Sequence, residues 1–259
     1  MKRETRSLNH QLIVCDNLEE LGRRAAALFV TLAREAVTSR GRFSVALSGG
    51  ETPKALHGQL ESDSHVSRVP WSEVHVFWGD ERYVPLDHPD SNCGMARATL
   101  LDQVPIPDQN IFPVPTESED VKLAADRYQQ TISSFFDLDE GGLPRFDLIV
   151  LGMGDDGHTA SLFPDTPALK DFDRVVVANY VEKLDAHRVT FTVSAINQAA
   201  FVVFLVSGAS KAAPLKQVLE GPYQPNRFPS QLIRPDNGEL LFLVDRDAAA
   251  ELTSGKHES

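Results

Sequence analysis

Residues 146–164 read FDLIVLGMGDDGHTASLFP. The segment 146–154, FDLIVLGMG, is the most apolar of several strand-like runs in the chain. A strand with no polar face is buried on both sides, as strands are in a parallel sheet covered by helices. Past its end come Gly152, Gly154 and Gly157 in the spacing GxGxxG, followed by His158. That spacing suits a dinucleotide loop, or a loop that presents the histidine for chemistry. A dinucleotide site needs a long helix after the third glycine, with the pyrophosphate at its N-terminus. Here Pro164 arrives soon after Gly157, and Asp155 and Asp156 place two negative charges where the pyrophosphate would lie. No strand ending in an acidic residue follows at the usual distance. The loop is therefore expected to serve His158, with no nucleotide cofactor. An imidazole with an ordinary pKa near ~6.5 suits proton transfer at neutral pH. Asp156 is close enough in sequence to orient it or shape the loop.

Outward from this segment, strands alternate with helices. QLIVCD (11–16) reads as a first strand, and 17–39 as a long helix with Leu18, Leu21, Ala25, Leu28, Phe29 and Leu32 at helical spacing and Gly41 behind it. FSVALSGG (43–50) is a buried strand, followed by Thr52 and Pro53 in the order of an N-cap and a first helical residue. VHVFWGD (74–80) is a third strand, 91–101 a helix, 104–118 a proline-rich loop and about 119–136 another helix. RVVVAN (174–179), the start of RVTFTVSAI (188–196), AAFVVFLVSG (199–208) and ELLFLVDRDAA (239–249) read as later strands, with a short helix at 212–221. There is no internal repeat and no linker. The expected organisation is one α/β domain over 1–259, a mostly parallel sheet with helices on both faces, and flexible tails at 1–9 and 251–259.

Composition narrows the function. Net charge is −12, which disfavours nucleic acid as a partner. An acidic protein binds an anion only through a local cluster of cations. Cys15 and Cys93 are the only cysteines and have no zinc spacing, so both are expected to be packing residues in a reducing cytoplasm. No apolar stretch is long enough to span a membrane. Motifs for zinc hydrolysis, a Walker-type phosphate loop and a nucleophile elbow are all missing.

In open α/β sheets, ligands bind beyond the carboxyl ends of the strands. Several strands here end in polar or glycine-rich sequence. Ser48, Gly49 and Gly50 precede a helix start, where backbone amides and the helix dipole favour an anion. GDERY (79–83) puts Asp80, Glu81 and Arg82 past a buried strand, and Arg82 suits phosphate recognition. Arg188 precedes VTFT, and Lys211 sits at a helix start, where a cation is poorly placed unless an anion is near.

Together VALSGGETPKAL, VHVFWGDERYVPLDHPDSN, FDLIVLGMGDDGHTASLFP, RVTFT and VSGASK resemble the 6-phosphogluconolactonases, in that family's order. The related glucosamine-6-phosphate deaminase/isomerases resemble GHIAFNEP where this chain reads GHTASLFP, so their glutamate falls on Phe163. They also tend to carry tyrosine where this chain has Arg82. Both departures favour the lactonase. The resemblance implies the Rossmann-like α/β fold of the isomerase and hydrolysis of 6-phospho-D-glucono-1,5-lactone in the oxidative pentose phosphate pathway. It implies no metal or cofactor, a small phosphorylated sugar lactone as the partner, and a monomer. His158 would be the general base. Arg82, Arg188 and Lys211 would hold the phosphate, with Ser48, Gly49 and Gly50 lining the same cleft. Asp80 would position a sugar hydroxyl or Arg82. The alternatives are an isomerase-like sugar-phosphate enzyme and a non-catalytic sugar-phosphate binder.

Overall fold

The structure, a computed structural model, describes residues 10–253; the expected tail at 1–9, and 254–259 of the expected tail at 251–259, lie outside them. In chain order the elements begin with β1 (Gln11–Cys15), α1 (Leu18–Arg40), β2 (Phe43–Leu47), α2 (Glu51–Leu60) and α3 (Asp63–Val66). Next come β3 (Val74–Trp78), β4 (Asp80–Arg82), α4 (Asn92–Ala96), α5 (Val121–Phe136) and β5 (Leu148–Leu151). The chain ends with β6 (Val176–Val181), β7 (Ala186–Phe191), α6 (Val193–Asn197), β8 (Phe201–Val206), α7 (Ala212–Leu219) and β9 (Glu239–Asp245).

Six strands form a parallel sheet in the order β1-β9-β8-β5-β2-β3. β2, β5 and β8 are buried at every position, as their unbroken apolar runs require. α1 is stopped at both ends by side-chain and backbone chemistry. The Asn17 carboxamide accepts from the Glu20 amide, and Gly41 closes the helix at φ 75°. Its Leu21, Ala25, Phe29 and Ala33 face the core. The two cysteines are buried, and burial pushes both thiols up to about 11, so they are inert packing groups. Among the described residues, no helix is long and apolar enough to cross a membrane.

A second, three-stranded antiparallel sheet, β4-β7-β6, was not expected from the sequence. The sequence carries the third strand to Asp80 with the acidic and basic residues past it, but β3 ends at Trp78. There the Tyr128 hydroxyl takes the place of a neighbouring strand, accepting from the Trp78 amide (2.8 Å) and donating to the Trp78 carbonyl (3.1 Å). The chain turns at Gly79, and Asp80–Arg82 pair with Arg188–Thr190 of β7.

Two further expectations are corrected. Thr52 does not cap α2: Gly50 does, at φ 106°, without a side-chain bond. Pro53 then falls inside the first turn, where it forfeits no helical hydrogen bond. Leu252 is 2% exposed, so ordered chain reaches past 251. The 104–118 segment runs along the sheet edge, where Ile111 bridges to Val76 and Phe112 stacks on Phe77 at 4.6 Å.

Candidate active site

β2 and β5 are neighbours, but the chain leaves β2 toward β3 and returns to β5 on the other side. This reversal opens a crevice between their carboxyl ends, the place where ligands bind in such sheets. Ser48–Gly50 leave β2 on one wall, and Gly152–Gly154 leave β5 on the other. Two contiguous hollows of about 400 and 310 Å³ occupy the crevice. They share Asp80, Arg82, Gly154, His158, Ala160 and Lys211 as walls. Ser48, Gly49 and Gly50 line the first hollow, and Asp156 and Arg188 the second. His158 and the eight residues expected to bind substrate or shape its loop therefore border one cleft.

In the 152–158 loop, Gly154 makes room for the histidine and Gly157 makes the turn. A Cβ on Gly154 would stand 2.1 Å from His158 Nδ1, inside the space the ring occupies. Gly157 turns at φ 75°, and a Cβ there would meet Phe228 at 2.8 Å. The Gly154 amide donates to the His158 carbonyl (2.9 Å), closing the loop on itself. From outside, the Ser230 amide and hydroxyl both donate to the Gly157 carbonyl, at 3.0 and 2.9 Å. No helix follows; the chain makes a tight turn in which Thr159 bridges to Leu162 and Ala160 takes a left-handed φ of 47°. A non-glycine residue held there is strained, and this one faces both hollows. The long helix that a dinucleotide's pyrophosphate needs does not follow this loop.

His158 is set by three contacts. Its Nδ1 lies 2.6 Å from Asp156 Oδ1, which also accepts the His158 amide at 3.2 Å. Its ring stacks on Phe163 at 3.9 Å and 23°. The ring is one-quarter exposed, open to the cleft. The hydrogen bond from His158 is the main reason the Asp156 carboxyl is held well below the usual carboxylate range; partial burial opposes it and Lys183 adds to it. Asp156 is therefore ionised and accepts only, which assigns the proton to Nδ1 and leaves a lone pair on Nε2. Phe163, read from sequence only as a missing glutamate, has a role of its own: it fixes the plane of the imidazole.

The cations Arg82, Arg188 and Lys211 gather at the cleft. Arg82 and Arg188 are register partners across β4 and β7, and among the described residues neither guanidinium is ion-paired with a carboxylate. Arg82 donates to the Asp90 carbonyl (2.7 Å) and Arg188 to the His187 carbonyl (3.0 Å). Burial first, and then the Arg82 charge, lower the affinity of Arg188 for its proton. Two like charges held together this way favour an arriving anion. Lys211 also faces the cleft and is ion-paired with Asp155.

Asp80 and Glu81 separate into two jobs. Asp80 lines the cleft and accepts from the Ser161 hydroxyl at 2.7 Å, with no bond to Arg82. Glu81 is fully buried, and its oxygens accept the Asn92 (2.7 Å) and Cys93 (2.8 Å) amides at the start of α4. Burial raises its pKa, while those amides oppose the rise. Asn92 was missed from sequence. Its Nδ2 donates to the Asp80 carbonyl (2.9 Å), and a Cβ on Gly49 would stand 1.8 Å from its Oδ1, so Asn92 is why position 49 is glycine. Lys183, between β6 and β7, was also missed; it lies 3.0 Å from Asp156 Oδ2. Among the described residues, no group of three or more His, Cys, Asp or Glu side chains is placed to hold a metal ion.

Residues 16–242 match the family model described as glucosamine-6-phosphate isomerases/6-phosphogluconolactonase. A 6-phosphogluconolactonase of Synechocystis is 46% identical over 242 residues, covering 93% of this chain and 98% of that one. The solved 6-phosphogluconolactonase of Trypanosoma cruzi superposes with a TM-score of 0.85 at 30% identity, covering 97% of this chain and all of that one. A monomeric glucosamine-6-phosphate deaminase, at 20% identity, covers 93% of this chain and 99% of its own with a TM-score of 0.80, and so shares the fold. The chain belongs to the glucosamine-6-phosphate isomerase/6-phosphogluconolactonase family.

Proposed function

We propose that this protein hydrolyses 6-phospho-D-glucono-1,5-lactone to 6-phospho-D-gluconate, the lactone step of the oxidative pentose phosphate pathway, with His158 as general base. The observation that carries this reading is the His158–Asp156 pair at 2.6 Å beside the Arg82–Arg188 pair in one cleft. His158 Nε2 takes a proton from a water molecule as its oxygen attacks the lactone carbonyl carbon. Asp156 stabilises the imidazolium that forms. The carbonyl π electrons move to its oxygen, where backbone amides of the glycine-rich loops stabilise the charge. When the carbonyl re-forms, the bond from carbon to ring oxygen breaks, and the ring oxygen takes the proton from the imidazolium. The product is a carboxylic acid that ionises at neutral pH.

Arg82, Arg188 and Lys211 hold the 6-phosphate, Ser48–Gly50 line the cleft beyond them, and Asp80 is left to meet a sugar hydroxyl. Phe163 weighs against amino-sugar isomerisation: an aromatic face stacks on His158 where that branch places a carboxylate.

The test is hydrolysis of freshly generated lactone, with the spontaneous rate subtracted. Turnover well above background, with no ammonia released from glucosamine 6-phosphate, is the expected result. Ammonia release would move the protein to the isomerase branch, and binding of 6-phosphogluconate without turnover would make it a sensor.

A further inference from the structure

Asp156 is held from two sides. Oδ1 takes the hydrogen bond from His158, and Oδ2 takes the Lys183 ammonium at 3.0 Å. Lys183 sits on the short turn Glu182–Leu184 between β6 and β7, far in sequence from the catalytic loop. That turn is pinned by its own chemistry: Asp185 ends it at φ 45°, and the Tyr180 hydroxyl donates to the Asp185 carboxylate. β6 and β7 pair along their whole length, from Val176–Phe191 to Val181–Ala186. The same antiparallel sheet that delivers Arg188 to the anion site therefore delivers Lys183 to the other side of the dyad.

A carboxylate with one free oxygen rotates about its terminal bond and swaps acceptors. With its second oxygen fixed, its first has one orientation, and the imidazole it holds has one tautomer. We propose that Lys183 is a positioning residue for the catalytic dyad: it clamps Asp156 so that His158 keeps its proton on Nδ1 and its lone pair on Nε2. The inference rests on His158 being the base. The other charged groups around the dyad are Asp155 on the same loop, Glu51 at the start of α2, Asp80 and Arg82 on β4, Arg188 on β7 and Lys211 before α7. None of them touches Asp156 Oδ2, and all stay in place when Lys183 alone is changed.

Removing a cation beside the dyad favours the protonated imidazole, so the acidic limb of the rate profile moves to higher pH. Lys183 is 69% exposed, so the effect is that of a screened pair. It should amount to about two- to fivefold in kcat at pH 7, and grow as the pH falls.

The experiment compares wild type, Lys183→Met and Lys183→Arg. It reads kcat and KM against pH, and the His158 imidazole nitrogens by NMR titration. The expected result is a lower kcat with a nearly unchanged KM, an acidic limb displaced upward for Met and restored by Arg, and the same displacement in the NMR titration. A raised KM with an unmoved limb, confined to the phosphorylated lactone, would overturn the proposal and make Lys183 a phosphate ligand. An unmoved NMR titration would also overturn it. If the NMR titration moves while the rate profile does not, Lys183 positions His158 as stated, and the general-base reading is what fails.

Discussion

Two glycine-rich loops leave neighbouring strands of the same sheet and face the same cleft, yet they are built in opposite ways. The loop after β2 opens directly into a ten-residue helix, α2, whose first turn borders the crevice. The loop after β5 opens into no helix and wraps a side chain instead. Their glycines have different physical causes. Gly49 is bare because the Asn92 carboxamide lies where its Cβ would be, and Gly154 because the His158 ring does. Gly50 and Gly157 are needed for positive φ, one to start a helix and one to turn a loop back onto Ser230. The comparison teaches that a glycine pattern at a strand end announces a site without saying which kind. The residue that fills the space beside each glycine says that.

Substitutions can separate the two loops. Among variants that keep His158 itself, Asp156→Asn should have the largest effect, lowering kcat by roughly 10²–10³-fold, because a carboxamide donor facing Nδ1 moves the imidazole proton to Nε2. Steady-state kinetics on a variant with an unchanged circular dichroism spectrum checks this; a loss below threefold would contradict the tautomer assignment. Gly154→Ala should follow, at about 100-fold in kcat with KM little changed, since the methyl displaces the ring by an ångström or more. Equal loss in kcat and in melting temperature would mean that the loop had simply unfolded. Arg82→Ala should raise KM for the phosphorylated lactone about 10- to 100-fold, the scale of a lost charged hydrogen bond. Unphosphorylated gluconolactone should show no such change, and an equal change would remove Arg82 from the phosphate site. Gly50→Ala should be smallest. It has room for the methyl but sits at φ 106°, so about 1–2 kcal/mol of stability is lost, together with a modest rise in KM and not a fall in kcat. Denaturant melts and kinetics on the same sample check both halves.

The sequence carried the strands of the parallel sheet because each is a short apolar run with no polar face, and such runs identify themselves locally. It singled out His158 and its loop as candidates because glycine, acid and histidine fall within seven residues of one strand end. It did not carry the antiparallel sheet. β4 is three residues long and follows β3 after a single glycine, so its partner in β7, more than a hundred residues on, is invisible to local pattern. Asn92 and Lys183 were hidden for the same reason: each acts on a loop distant in sequence, and an isolated asparagine or exposed lysine has no local signature. The wrong cap at Thr52 shows the limit of propensity, since Gly50 at positive φ offered the backbone a start two residues earlier.

The most direct measurement is turnover by His158→Ala at saturating 6-phosphogluconolactone, beside wild type and above the spontaneous rate. Loss of about 10²–10⁴-fold in a folded variant is the predicted result for a general base. Wild-type turnover in that variant would show that the loop, for all its fit around the imidazole, does not carry the base.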